Sequence, residues 1–110
     1  MKQEINEKLS KIPPASIAHS RSIKNLTERI FKQLEFKNKM LSDLLSLQEE
    51  AIKEGALGVH WTSTDYKDFE LDISSAYNVL LQLASSYESK GYITEVDISE
   101  KEFLTFSLKW

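Results

Sequence analysis

From about Ser20 to Glu54 apolar residues recur close to every 3.6 positions: Ile23, Leu26, Ile30, Leu34, Leu41, Leu44, Leu45 and Ile52. Phe31, Met40 and Leu47 widen the row. This period predicts an amphipathic helix. No Gly or Pro interrupts residues 15–53, and "EGALG" closes the run with Gly55 as a C-terminal stop. About 35 helical residues at 1.5 Å each span about 50 Å, more than a compact chain of this length accommodates. The helix is therefore expected either to break near "EFKNK" into a helical hairpin or to project and pair.

Upstream, Met1 to about Lys11 reads as a short helix, with Ile5 and Leu9 four apart. Pro13 and Pro14 end it, which makes residues 1–16 an arm. Downstream the period changes to two. "LGVHWTS" alternates Leu57, Val59 and Trp61 against His60 and Thr62, as a half-buried strand does. "TSTDYKD" reads as a turn, and "FELDI" as a second short strand returning along the first. Asp72 or Ser74 then caps a helix through about Lys90, striped by Ala76, Leu80, Leu83 and Tyr87 and stopped by Gly91. "YITEVDI" and "FLTFSLKW" read as two strands, with "SEKE" short enough for an antiparallel hairpin. Leu104, Phe106, Leu108 and Trp110 fall on one face and are expected to be buried together.

The order of elements predicts an α+β fold. A long N-terminal helix or helical hairpin, residues 17–56, is followed by a head, residues 57–110. The head is a small, mainly antiparallel sheet of three or four strands with one helix packed on it. The helical segment and the head are expected to fold as a single unit.

The chain has 110 residues and no cysteine. One domain is expected. Disulfides, thiolate metal sites and cysteine nucleophiles are excluded. No apolar run reaches membrane-spanning length, and the N-terminus lacks the apolar core of a signal peptide. The reading is a cytoplasmic protein without membrane contact. Charge is uneven. Residues 1–56 carry ten basic and eight acidic side chains, whereas residues 57–110 carry four and nine. The acidic second half argues against a nucleic-acid surface there.

The long helix is itself polarised. Residues 17–40 carry Arg21, Lys24, Arg29, Lys32, Lys37 and Lys39 against Glu28 and Glu35. Residues 41–54 carry Asp43, Glu49, Glu50 and Glu54 against Lys53. Basic first and acidic last opposes the helix dipole. Two helices, an antiparallel second copy, or a solvated face with scattered charges each account for it. An antiparallel copy sets basic halves against acidic halves, as in an isologous dimer.

Catalytic signals are thin. The histidines are His19, near the prolines, and His60, pointing away from a strand's apolar face. His60 with Asp65 and Asp68 is the best available metal or acid–base cluster, but one histidine and two aspartates are better accounted for by the commonness of Asp in turns. No strand–turn–helix elbow exposes a serine, and no glycine-rich loop cradles a phosphate. No catalytic residue, metal site or cofactor is expected. Tyr66 and Phe69 lie in the turn region among Asp65, Lys67 and Asp68, and are candidate exposed anchors for a partner. Closing the end of the core is the competing role.

"SKGY" ending a helix and "FSLKW" ending the chain carry a resemblance. Lys90, Gly91 and Tyr92, then Ser107, Leu108 and Trp110, resemble the "KGYxV" turn and "ISW"-type last strand of small accessory proteins of tailed bacteriophages. The likeness covers roughly residues 49–110 and departs from the pattern at Lys109 and in the long helix. It implies a phage origin, and no functional residue is carried over from it.

These readings converge on a non-catalytic, self-associating protein-interaction module. It would act in a virion assembly or by binding a host protein in the infected cell. Its expected interface residues are Ile23, Leu26, Ile30, Leu34, Leu41, Leu44, Tyr66 and Phe69. The expected partners are a second copy, antiparallel, and another protein. The alternative is a small-ligand or nucleotide-binding protein with a site between subunits, built from Arg21, Lys24 and Lys32. Nucleic-acid binding by the same basic stretch is a third, weaker reading.

Overall fold

A computed structural model describes residues 2–110. Met1, where the expected first helix begins, lies outside the described residues. The chain divides into two compact units, Met1–Ile30 and Phe31–Trp110.

The first unit is helical. Helix α1 spans Lys2–Ser10 and buries no residue. Its Ile5 and Leu9 are exposed. Helix α2 spans Ala15–Lys53, beginning directly after the prolines. The carbonyl of Pro14 accepts the N–H groups of Ile17 and Ala18, so Pro14 serves the first turn as an acceptor without needing an N–H of its own. Helix α2 is unbroken at "EFKNK": no Gly or Pro there removes a backbone bond, and Phe36 and Met40 anchor the segment in a core.

The second unit holds the rest of α2, a three-stranded antiparallel sheet and one further helix. Strands β1 (Gly58–Ser63), β2 (Ile93–Ile98) and β3 (Leu104–Lys109) lie in the order β1-β3-β2. The last strand is thus the central one. Phe106 is paired with Trp61 on one side and Val96 on the other. Central placement accounts for the full burial of Leu104, Phe106 and Leu108. Trp110 departs from the expectation: it lies one residue beyond the strand, 36% exposed, its ring edge-on to Tyr92 at 6.1 Å. Its N–H still bonds the Leu57 carbonyl.

One face of the sheet carries the core, shared by Phe36, Met40 and Leu44 of α2 with Val79, Leu80 and Leu83 of helix α3 (Ile73–Glu88). The expected fourth strand, "FELDI", does not form. Asp65–Phe69 is instead a 3-10 turn, and Leu71 is buried in the connection that follows. The aspartates favour local turns over a ladder, so β1 keeps an open edge.

Helix α3 ends on Gly91, at φ 94°. The Tyr92 N–H reaches back to the Tyr87 carbonyl, and the two rings meet edge-on at 5.2 Å. This six-residue closure with an apolar contact between its ends is the Schellman stop. It gives the "KGY" stretch a structural role: glycine supplies the left-handed residue and tyrosine the clasp. The "SEKE" link is a tight polar turn, with Glu102 at φ 61°.

Candidate interaction surface

The predicted interface residues separate into two groups. In the first unit Ile23, Leu26 and Ile30 are all exposed on α2. In the second unit Leu34 and Leu41 are exposed as well, together with Leu45 and Ile52. Leu44 is a correction. It is fully buried in the core of its own chain and has no surface left for a partner. Its position on α2 lies one turn from Met40 and two from Phe36, on the face that the sheet and α3 cover.

Tyr66 and Phe69 are corrected in the same sense. Tyr66 is 3% exposed, and its hydroxyl donates to the Glu102 carbonyl. Burial pushes its pKa up, with the Glu102 carboxylate adding to the effect. Phe69 packs on the core, edge-on to Phe36 at 5.6 Å. Tyr66 thus closes the end of the core, and Phe69, half-buried, packs beside it.

Ion pairs pin the 3-10 turn to α2. Lys39 Nζ lies 2.9 Å from Asp65 and 3.0 Å from Asp43. Bonding to Lys39 holds the Asp65 carboxyl below its ordinary range, and the two carboxylates, Asp65 first, raise the Lys39 pKa. Lys32 pairs with Glu70, whose carboxyl is lowered by that bond. Of the predicted ligand-binding set, Lys32 is thus engaged with Glu70 in the second unit. Arg21 and Lys24 are exposed residues of α2 in the first.

His60 faces outward, as its place in the alternation predicts. Its Nδ1 lies 2.8 Å from Ser107 Oγ and its Nε2 3.3 Å from Thr62 Oγ1. Both ring nitrogens thus meet hydroxyls, whereas a base that activates a nucleophile is oriented by an acid. The Asp65 carboxylate instead accepts from Lys39, while the Asp65 backbone N–H donates to Ser63 Oγ. Among the described residues no group of three His, Asp or Glu is arranged to hold a metal ion. None of the described helices is long and apolar enough to cross a membrane.

A groove of about 290 Å³ lies between α2 and the end of α3 in the second unit. Leu41, Leu45 and Gln48 of α2 form one wall; Tyr87, Lys90 and Tyr92 form the other. Gln48 is buried and donates to the Tyr92 hydroxyl at 2.6 Å, which fixes the floor. Mostly apolar walls with a few fixed polar groups suit an apolar side chain better than a charged ligand. Leu45, Ile52 and this groove are absent from the interface predicted by sequence. The signal for the two α2 residues was present, because they continue the exposed row at intervals of four and seven.

Comparison with protein-family models, with curated proteins and with solved structures finds no match for this chain.

Proposed function

We propose that this chain is a non-catalytic protein-interaction module that self-associates through α2. The α+β head then presents its remaining surface to a further protein. One observation carries the reading: the second unit completes a core, yet α2 still exposes a row of large aliphatic side chains, Leu34, Leu41, Leu45 and Ile52. Ile23, Leu26 and Ile30 extend the same helix's exposed apolar positions. Fully burying a Leu or Ile is worth about 1.5–3 kcal/mol, so covering several half-exposed ones is a substantial drive to associate. Large aliphatic side chains left exposed along one helix face suit an interaction site.

The resemblance of residues 90–92 and 107–110 to accessory proteins of tailed phages supports placing the module's work in a virion or on a host protein. The test is the paired variant Leu41→Glu with Leu45→Glu, followed by sedimentation velocity over a dilution series. The native chain is expected to sediment as a dimer or larger, and the variant as a folded monomer with native circular dichroism. Identical sedimentation of the two would refute the role of α2.

A further inference from the structure

The exposed aliphatic row of α2 has a symmetric spacing. Ile23, Ile30, Leu34, Leu41, Leu45 and Ile52 are separated by seven, four, seven, four and seven residues. The intervals read the same from either end. At 3.6 residues per turn all six fall within about 60° of one another around the helix.

A strip with this symmetry is its own complement in the antiparallel direction, in one register. When opposed residue numbers add to 75, Ile23 faces Ile52, Ile30 faces Leu45 and Leu34 faces Leu41. A slide of one heptad either way leaves three of the six without an aliphatic partner: Asn38, Thr27 and Ser16 oppose them in one direction, Gln48 and Lys37 among the residues opposing them in the other. The same register lays residues 21–34, with four basic and one acidic side chain, along residues 41–54, with four acidic and one basic, while residues 35–40 lie along their own copies. Lys24 comes to the same flank of the pair as Glu49.

Leu26 is exposed but off this strip, turned about 60° toward the side that carries Met40 and Leu44 further along the helix. A twofold axis perpendicular to two antiparallel helices sets each flank against the same flank of the partner. On that flank of the opposing helix lies the groove walled by Leu41, Leu45, Gln48, Tyr87 and Tyr92. In the register above, Leu26 falls opposite Glu49, beside Gln48 and one turn from Leu45, at the mouth of the groove.

We infer that the groove between α2 and α3 receives Leu26 of a second copy, within an antiparallel pair of α2 helices in this register. The inference rests on the self-association reading above and names its partner and geometry. Two grooves are filled per dimer, one by each copy.

The absence of cysteine makes the 110-residue chain suited to disulfide mapping. Ile23→Cys and Ile52→Cys, mixed and oxidised, are expected to give a disulfide-linked dimer that neither gives alone. Leu34→Cys and Leu41→Cys alone are expected to give none, since a disulfide needs Cα atoms about 4.4–6.8 Å apart. Self-linking of Ile23→Cys indicates parallel helices and overturns the inference. Self-linking of Leu34→Cys or of Leu41→Cys indicates a slipped register and overturns it too. For the groove, Leu26→Ala is expected to weaken the dimer about tenfold or more, as truncation of a buried anchor does. Asn25→Ala, on the opposite side of the helix, should leave it unchanged. An unaltered dissociation constant for Leu26→Ala refutes the groove. A native chain that is monomeric refutes self-association itself, whereas a native dimer with the wrong cross-links refutes only this register.

Discussion

The Tyr66 hydroxyl donates to the Glu102 carbonyl across 2.8 Å, tying the 3-10 turn to the β2–β3 hairpin 36 residues later. Tyr87, a comparably buried tyrosine, has a hydroxyl without a partner among the described residues. Its ring is held by edge-on contacts with Tyr92 and Phe106. The two phenols should therefore respond oppositely to loss of oxygen. Tyr66→Phe is expected to cost about 0.5–1.5 kcal/mol. Tyr87→Phe removes a desolvated hydroxyl that bonds nothing, and is expected to be neutral or stabilising by up to about 1 kcal/mol. Thermal denaturation of the two variants checks this. A Tyr87→Phe variant that melts several degrees below the native chain would contradict it.

The Lys39–Asp65 bridge predicts a pH dependence with a definite sign. The folded-state pKa of Asp65 lies below its ordinary 3.8. A lowered carboxyl contributes stability that is complete above the unfolded value and is lost as pH falls through the folded one. Lys39 is raised above its ordinary 10.5, so its contribution is complete below that value and is lost as pH climbs past it. Between about pH 5 and 9 the bridge is fully formed. Both partners are about two-fifths exposed, so solvent screening keeps its worth to about 0.2–1 kcal/mol. Asp65→Asn should be less stable than the native chain by a constant margin across pH 5–9, and the margin should shrink below pH 4. A margin that grows on acidification would count against the assignment.

Gly58 opens β1 opposite Lys109, where an added Cβ would lie 2.6 Å from the Leu108 carbonyl oxygen. That oxygen belongs to the central strand and cannot turn aside as a flexible side chain can. Gly58→Ala must displace β1 from β3, with an expected cost of about 1–3 kcal/mol. Urea denaturation measures it, and a shift of the midpoint within error would show that the strand end yields freely.

Much of the fold was legible because periodicity carried it. The switch from a period near 3.6 to a period of two located α2, β1, α3 and the final hairpin. Gly55 and Gly91 marked the helix ends through their left-handed backbone. What periodicity could not resolve was which side of a broad apolar helix face meets the chain's own core. Leu41, Leu44 and Leu45 read alike in sequence. Only the sheet and α3 decide that Leu44 is interior while its two neighbours stay outside. "FELDI" misread for a related reason: an apolar–polar alternation five residues long fits a strand, and fits equally a 3-10 turn followed by a buried leucine. The groove was invisible because Gln48 and Tyr92, its fixed polar floor, lie 44 residues apart.

Self-association is best measured as the absolute mass of the 110-residue chain in solution, by light scattering coupled to size exclusion, at low and high salt. A dimer or larger is expected at low salt, loosening as salt screens the basic and acidic halves of α2. Aliphatic contacts should keep part of it associated at high salt. A monomer at every salt and protein concentration would contradict self-association through α2.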